Sequence, residues 1–221
     1  MSIQPAGLRA PLSRHQIGAQ RRLRMRTRIL QAAAQVIAHS GTERTTIDDF
    51  IVAAGVARGT FYNHFESRQA LFDELWRSVG RDPFRGIAAA AGLIACPVER
   101  FATMSRLVLM RAGMDATWGW LVLALSATAA TLNDDLRAYP KPDLREAKLA
   151  GGFRYDDEAA ATDLVVGTMR SGLRAMLEDG RDATYADGLC RMMLLALGIG
   201  EQEASRLSVV PLPELRTGVG P

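Results

Sequence analysis

Two stretches of helical period, each barely two turns long, meet at a glycine between Thr45 and Arg68, and no other feature limits the fold of this chain so tightly. Thr45 and Thr46 followed by Asp48 and Asp49 form a helix start: a hydroxyl bonds orphan amides, and the carboxylates sit at the positive end of the helix dipole. Ile47, Phe50, Ile51 and Ala54 keep i, i+3, i+4 spacing up to Gly55, so a short helix is expected near Ile47–Ala54. Gly55 supplies the positive φ of a tight turn, and Val56 an apolar plug behind it. The next helix, expected over Ala57–His64, carries Phe61 and Phe65 one turn apart on one face, which leaves Arg58, Thr60, Tyr62, Asn63 and His64 outward. Two short helices joined this way make a helix-turn-helix, whose second helix is of a size to enter the major groove of duplex DNA.

The charge pattern agrees with such a partner. Residues 1–68 hold ten arginines against four acids, and the rest of the 221-residue chain holds seventeen basic groups against twenty acidic ones. A basic front on a mildly acidic body suggests that the front meets a polyanion. Two cysteines, Cys96 and Cys190, cannot build a disulfide framework, and His15, His39 and His64 lie too far apart to suggest a metal cluster, so no cofactor or metal is expected. The first residues lack the apolar run of a signal peptide, and a cytoplasmic location is expected. Residues 116–133 carry no charge, but acids flank them and Lys or Arg does not, so they read as a buried helix and not a membrane span.

Outside the motif the pattern is helical throughout, without sustained alternation, and the fold class is all-α. Residues 1–20, punctuated by Pro5, Gly7, Pro11 and Gly18, read as a flexible basic arm. Helices are expected at Arg21–Ser40, from Ser67 to a stop at Gly80 and Pro83, and near Pro97–Arg111, Asp115–Leu132, Asp143–Lys148, Asp157–Asp179 and Ala183–Gly198.

The run from Thr45 through Gly55, Arg58, Gly59, Thr60, Phe61, Tyr62, Asn63, His64 and Phe65 to Arg68 resembles the DNA-binding signature of the tetracycline-repressor (TetR/AcrR) family. Ile29–Ala33 and Gly41 upstream, and Leu71–Leu75 downstream, resemble that family's first and fourth helices, so the likeness covers residues 21–77. It implies that Thr45 or Thr46 contacts phosphate, that Arg58, Gly59, Thr60, Tyr62, Asn63 and His64 line the recognition helix, and that Arg68 replaces a lysine that holds phosphate. It also implies three regions: the arm 1–20, a DNA-binding domain 21–77, and a helical effector-binding and dimerisation domain 78–221. By its own chemistry Arg58 suits bidentate bonding to guanine, and Tyr62 and His64 suit phosphate oxygens. Ala57 stands where the family often has a capping Ser or Thr, which removes a cap worth ~0.5–2 kcal/mol. Asp48 and Asp49 lie where phosphates would run and should weaken non-specific binding, whereas the arginine-rich leader suggests an arm that tracks phosphates or reaches a minor groove.

In the body, Phe101, Met104, Val108, Met114, Trp118 and Met169 are soft or aromatic groups that suit an apolar ligand cavity. Leu164, Thr168 and Leu173, with Leu189, Met193 and Leu197, suit a four-helix dimer interface made of two copies of one helix pair. No nucleotide loop, nucleophile elbow or zinc-protease motif occurs, so no enzymatic activity is expected. The reading is a homodimeric regulator that represses from a palindromic operator on double-stranded DNA and is released by a small apolar effector, with no membrane partner. An architectural DNA-binding protein, or a ligand-binding protein with a vestigial helix-turn-helix, are the alternatives.

Overall fold

The computed structural model describes residues 13–41, 44–126, 128 and 130–215. Among them are twelve α-helices and no strand: α1 (Arg14–Ser40), α2 (Ile47–Ala54), α3 (Arg58–Tyr62), α4 (Arg68–Leu75), α5 (Arg81–Ala91), α6 (Pro97–Met114), α7 (Ala116–Leu125), α8 (Ala130–Ala138), α9 (Lys141–Leu149), α10 (Glu158–Glu178), α11 (Ala183–Ala196) and α12 (Glu201–Leu207). A single π-helical turn, Trp76–Gly80, joins α4 to α5. No described helix is long and apolar enough to cross a membrane.

The head forms as its local chemistry dictates. Thr46 caps α2 with a reciprocal box, its hydroxyl accepting from the Asp49 amide while the Asp49 carboxylate accepts from the Thr46 amide. Gly55 closes α2 in the left-handed conformation (φ 60°, ψ 46°), which a Cβ would strain. Ala57 gives α3 no side-chain cap, while Ser67 caps α4 through the Ala70 amide. Phe50, Phe61, Phe65, Leu71 and Phe72 are buried with Ile29 and Ile37 of α1, so one apolar core holds all four helices. That core continues through Trp76 and Phe84 into α6 and α7 of the body, while a second core lies among α6, α9, α10, α11 and α12.

Four sequence expectations are corrected here. The first helix starts at Arg14 and not Arg21, because Ser13 and Gln16 make a capping box; residues 14–20 of the expected arm are therefore helical, and residues 1–12 lie outside the described residues. Gly80 and Pro83 do not end α4. The chain widens into the π turn, where the Arg81 amide reaches the Trp76 carbonyl, and Pro83 falls in the first turn of α5, where a missing N–H costs little. The helix expected over Asp115–Leu132 breaks after Leu125: the Ser126 hydroxyl turns back to the Leu123 carbonyl and Arg170 of α10 binds the Ser126 carbonyl. Finally, α5 and α12 carry regular structure where none was expected, with Phe84, Ile87 and Ala91 forming the buried stripe of α5.

Candidate nucleic-acid interface and ligand cavity

α3 rests on Phe61, fully buried and 5.8 Å from Phe65 between ring centroids. With its back held, it presents Arg58, Gly59 and Tyr62 to solvent, with Asn63 exposed at its C-terminal end and Thr60 and His64 half-buried. Arg58 lies 3.4 Å from Asp48, with both side chains 64% exposed, an ion pair worth about 0.2–1 kcal/mol and easily exchanged for another anion. Asp49 is exposed and bonded into the Thr46 cap, whose hydrogen bonds lower its pKa and keep it ionised at this surface. Burial, and then the charges of Arg26 and Arg22, hold the His64 imidazole below its ordinary pKa.

Two of the expected contact residues bond to each other. Thr45 is buried, and Arg68 hydrogen-bonds its hydroxyl at 3.4 Å with the guanidinium carbon 4.9 Å from the Phe72 ring centre. The bond joins the start of α4 to the start of α2, with Thr45 buried, Arg68 half-buried and Thr46 at the surface. The residue that sequence reasoning missed is Arg26. It donates to the His64 carbonyl at 2.7 Å, meets Glu74 at 3.5 Å and lies 4.5 Å over the Phe65 ring, so it binds α1 to the end of the recognition helix and to α4. Its sequence signal, an arginine among many, did not separate it from its neighbours.

Head and body meet at the π turn. Trp76 donates its indole N–H to Asp135 of α8 at 2.8 Å, Arg81 reaches the same carboxylate at 3.4 Å, and Trp118 of α7 donates to the Gly80 carbonyl at 3.0 Å. Phe84 sits between them, with ring centroids 5.5 Å from Trp76, 5.1 Å from Trp118 and 5.6 Å from Tyr139. Gly80 permits this: a Cβ there would fall 2.2 Å from the Trp76 ring.

Phe84 and Tyr139 are also walls of a small, mostly apolar cavity of about 70 Å³ among α5, α6, α8, α9 and α10, so a drug-sized ligand would have to move these walls to enter it. Of the expected lining, Phe101, Met104, Val108 and Met169 face it. Met114 does not, because it ends α6 and is 81% exposed, and Trp118 is enclosed in the aromatic cluster beside the cavity. Tyr139, Asp143, Arg170, Val166 and Leu173 complete the walls from helices whose registers were not expected to converge. Burial pushes the Asp143 carboxyl up against the pull of Arg100 at 2.6 Å, and burial raises the Tyr139 phenol.

The expected dimer residues divide in the same way. Leu173, Met193 and Leu197 are buried in the chain's own cores, and Leu189 packs against Gly172, where a Cβ would approach it to 2.4 Å. Leu164 is exposed and Thr168 half-buried on the outer side of α10. The outward faces of this helix pair are Ala160, Leu164, Gly167 and Ser171 on α10, with Thr184, Gly188, Met192 and Ala196 on α11. Among the described residues no group of His, Cys, Asp and Glu is placed to hold a metal, and burial pushes the Cys190 thiol up to about 12.

Comparison with known proteins follows the same division. The profile described as "Bacterial regulatory proteins, tetR family" matches residues 29–75, and that described as "Tetracyclin repressor-like, C-terminal domain" matches residues 96–209. The chain is 34% identical over 83 residues to the HTH-type transcriptional repressor KstR2 of Rhodococcus jostii, covering 38% of this chain and 39% of that protein. An HTH-type transcriptional repressor of Mycobacterium tuberculosis is 27% identical over 167 residues, 71% of this chain and 84% of its own length. For several curated relatives the match spans about a quarter of their length. Among solved structures, RolR with resorcinol shares the fold at a TM-score of 0.70 with 24% identity, covering 89% of this chain and 99% of its own. FadR of Bacillus subtilis with stearoyl-CoA does so at 0.63 with 16% identity, covering 76% and 97%.

Proposed function

Since the chain belongs to the tetR family of bacterial regulatory proteins, we propose that it is a sequence-specific DNA-binding repressor that acts as a homodimer and leaves a palindromic operator when a small, largely apolar effector fills its cavity. The observation that carries this reading is the surface of α3, a helix held from behind by Phe61 and Phe65 with Arg58, Gly59, Tyr62 and Asn63 free at the front. Arg58 exchanges its exposed Asp48 partner for a guanine edge, a contact worth ~1–3 kcal/mol of discrimination. Thr46, Tyr62 and His64 supply hydrogen bonds to phosphate oxygens.

Two such helices must stand about 34 Å apart to read successive major grooves, which requires a dimer. The outward faces of α10 and α11 suit that role, since small residues between Leu164 and Met192 permit two copies to approach closely. Release follows from the shared wall. An effector that displaces Phe84 or Tyr139 disturbs the cluster around Trp76 and hence the hinge above α4, and it weakens DNA binding by its differential affinity for the two head positions. RolR holds resorcinol, which makes small aromatic compounds the first to try. The test is selection from a random-sequence DNA pool. Enrichment of a palindrome that Arg58→Ala and Asn63→Ala abolish supports the reading, and salt-sensitive binding without any enriched sequence overturns it.

A further inference from the structure

The first half of α1 buries almost nothing. Every residue from Ser13 to Arg24 is exposed, including Leu23, so packing against the protein does not hold this part of the helix. Its charges are also arranged against helix stability. The 27-residue helix contains six arginines and no acid, with Arg22 and Arg26, and Arg24 and Arg28, at like-charge i, i+4 spacing, and Arg14 and His15 beside the positive end of the dipole. Of the six, only Arg26 has an ion-pair partner among the described residues. A surface built this way is relieved by a polyanion that supplies the missing negative charge.

Where that polyanion lies is marked by a groove. His15, Gly18, Ala19, Arg22 and Arg26, one face of α1, line an open channel whose opposite wall is Asn63 and His64 at the end of the recognition helix. Its floor is open, since a Cβ on Gly18 would meet nothing within 4 Å. Resting on the DNA-binding reading above, we propose that the segment Arg14–Arg28 is a second DNA-contacting element, seating in this groove the sugar–phosphate backbone that flanks the major-groove half-site and reading no bases. The segment is ~21 Å long at 1.5 Å per residue, enough to follow about three phosphates of one strand.

The experiment compares the full-length protein with the quadruple variant Arg14→Gln, Arg21→Gln, Arg22→Gln, Arg24→Gln on DNA from the random-pool selection and on random DNA, with far-UV circular dichroism as the check on folding. The expected result is an unchanged palindrome, loss of backbone hydroxyl-radical protection just outside each half-site, and a salt dependence flatter by about 0.9 for each phosphate that the variant no longer neutralises. An unchanged salt slope and footprint, with the palindrome kept, overturns the inference and leaves the DNA-binding reading standing. A changed palindrome overturns it too, since the segment would then read bases. If the parent protein selects no palindrome but the variant still flattens the slope on random DNA, the inference holds and the sequence-specific reading falls.

Discussion

The arginines of α1 and those of the body do opposite work. Five of the six on α1 have no ion-pair partner among the described residues, whereas eleven of the thirteen described between Arg81 and Arg206 pair with an Asp or Glu of the chain itself. In the body, guanidinium groups act as struts: Arg100 joins α6 to Asp143 and Glu146 of α9, and Arg145 forks onto Glu158 across the turn to α10. In α1 they are left to meet charge from outside. The same residue type therefore signals cohesion where acids share its surface and an external polyanion where they do not.

Arg106 offers the severest test of this contrast. Its side chain is 7% exposed, bonds Asp187 at 2.7 Å and donates to the Val210 carbonyl. Arg106→Ala is expected to cost roughly 3 kcal/mol, toward the lower end for removing one partner of a buried pair because Asp187 stays a quarter exposed. Arg21→Gln should by comparison shift stability by no more than about 0.5 kcal/mol while weakening DNA binding. Urea unfolding of both variants checks the pair, and equal losses would erase the distinction.

The joint between the two regions comes next in size. Gly80→Ala sets a methyl against the Trp76 ring, and an overpacked site of this kind is expected to lose about 1–3 kcal/mol. At 2–4 °C per kcal/mol for a chain of this size, calorimetry should record a Tm lower by several degrees. An unaltered Tm would mean that Trp76 is not held tightly at the hinge.

The smallest effect is expected from His64. Its folded pKa lies below the unfolded value near 6.5, so the unfolded state binds the proton more readily and its contribution to stability is full above about pH 6.5. That contribution fades as the pH falls through 6.5 and then through the depressed folded value. Replacing His64 by Gln should remove this part of the acid dependence, measured as the difference in unfolding free energy between pH 7.5 and pH 5.5. The same pH dependence in parent and variant would show that neither burial nor the arginines of α1 lower the His64 pKa in the folded protein.

The helix-turn-helix was legible in sequence because each of its devices acts within a few residues. Thr46 caps its own third amide, Gly55 takes its own positive φ, and Phe61 and Phe65 share a face through helical period alone. The bond between Arg68 and Thr45 was not legible, since it depends on Phe72 packing from α4. Arg26 likewise gained its place from His64 and Glu74, 38 and 48 positions further along the chain. In the cavity, four of six expected wall residues face inward, whereas Tyr139, Asp143 and Arg170 join them only because α8, α9 and α10 converge there.

The amino-acid order alone determined the helical class, the recognition motif and the basic front, since each follows from period, capping and charge along the chain. Tertiary structure decided the continuation of the chain through Gly80 and Pro83, the break after Leu125, and which apolar face of α10 and α11 is core and which is surface. The physical reason is that periodicity identifies a face that can be buried, while the neighbour that covers it, and the side chains left outside, depend on how distant helices pack.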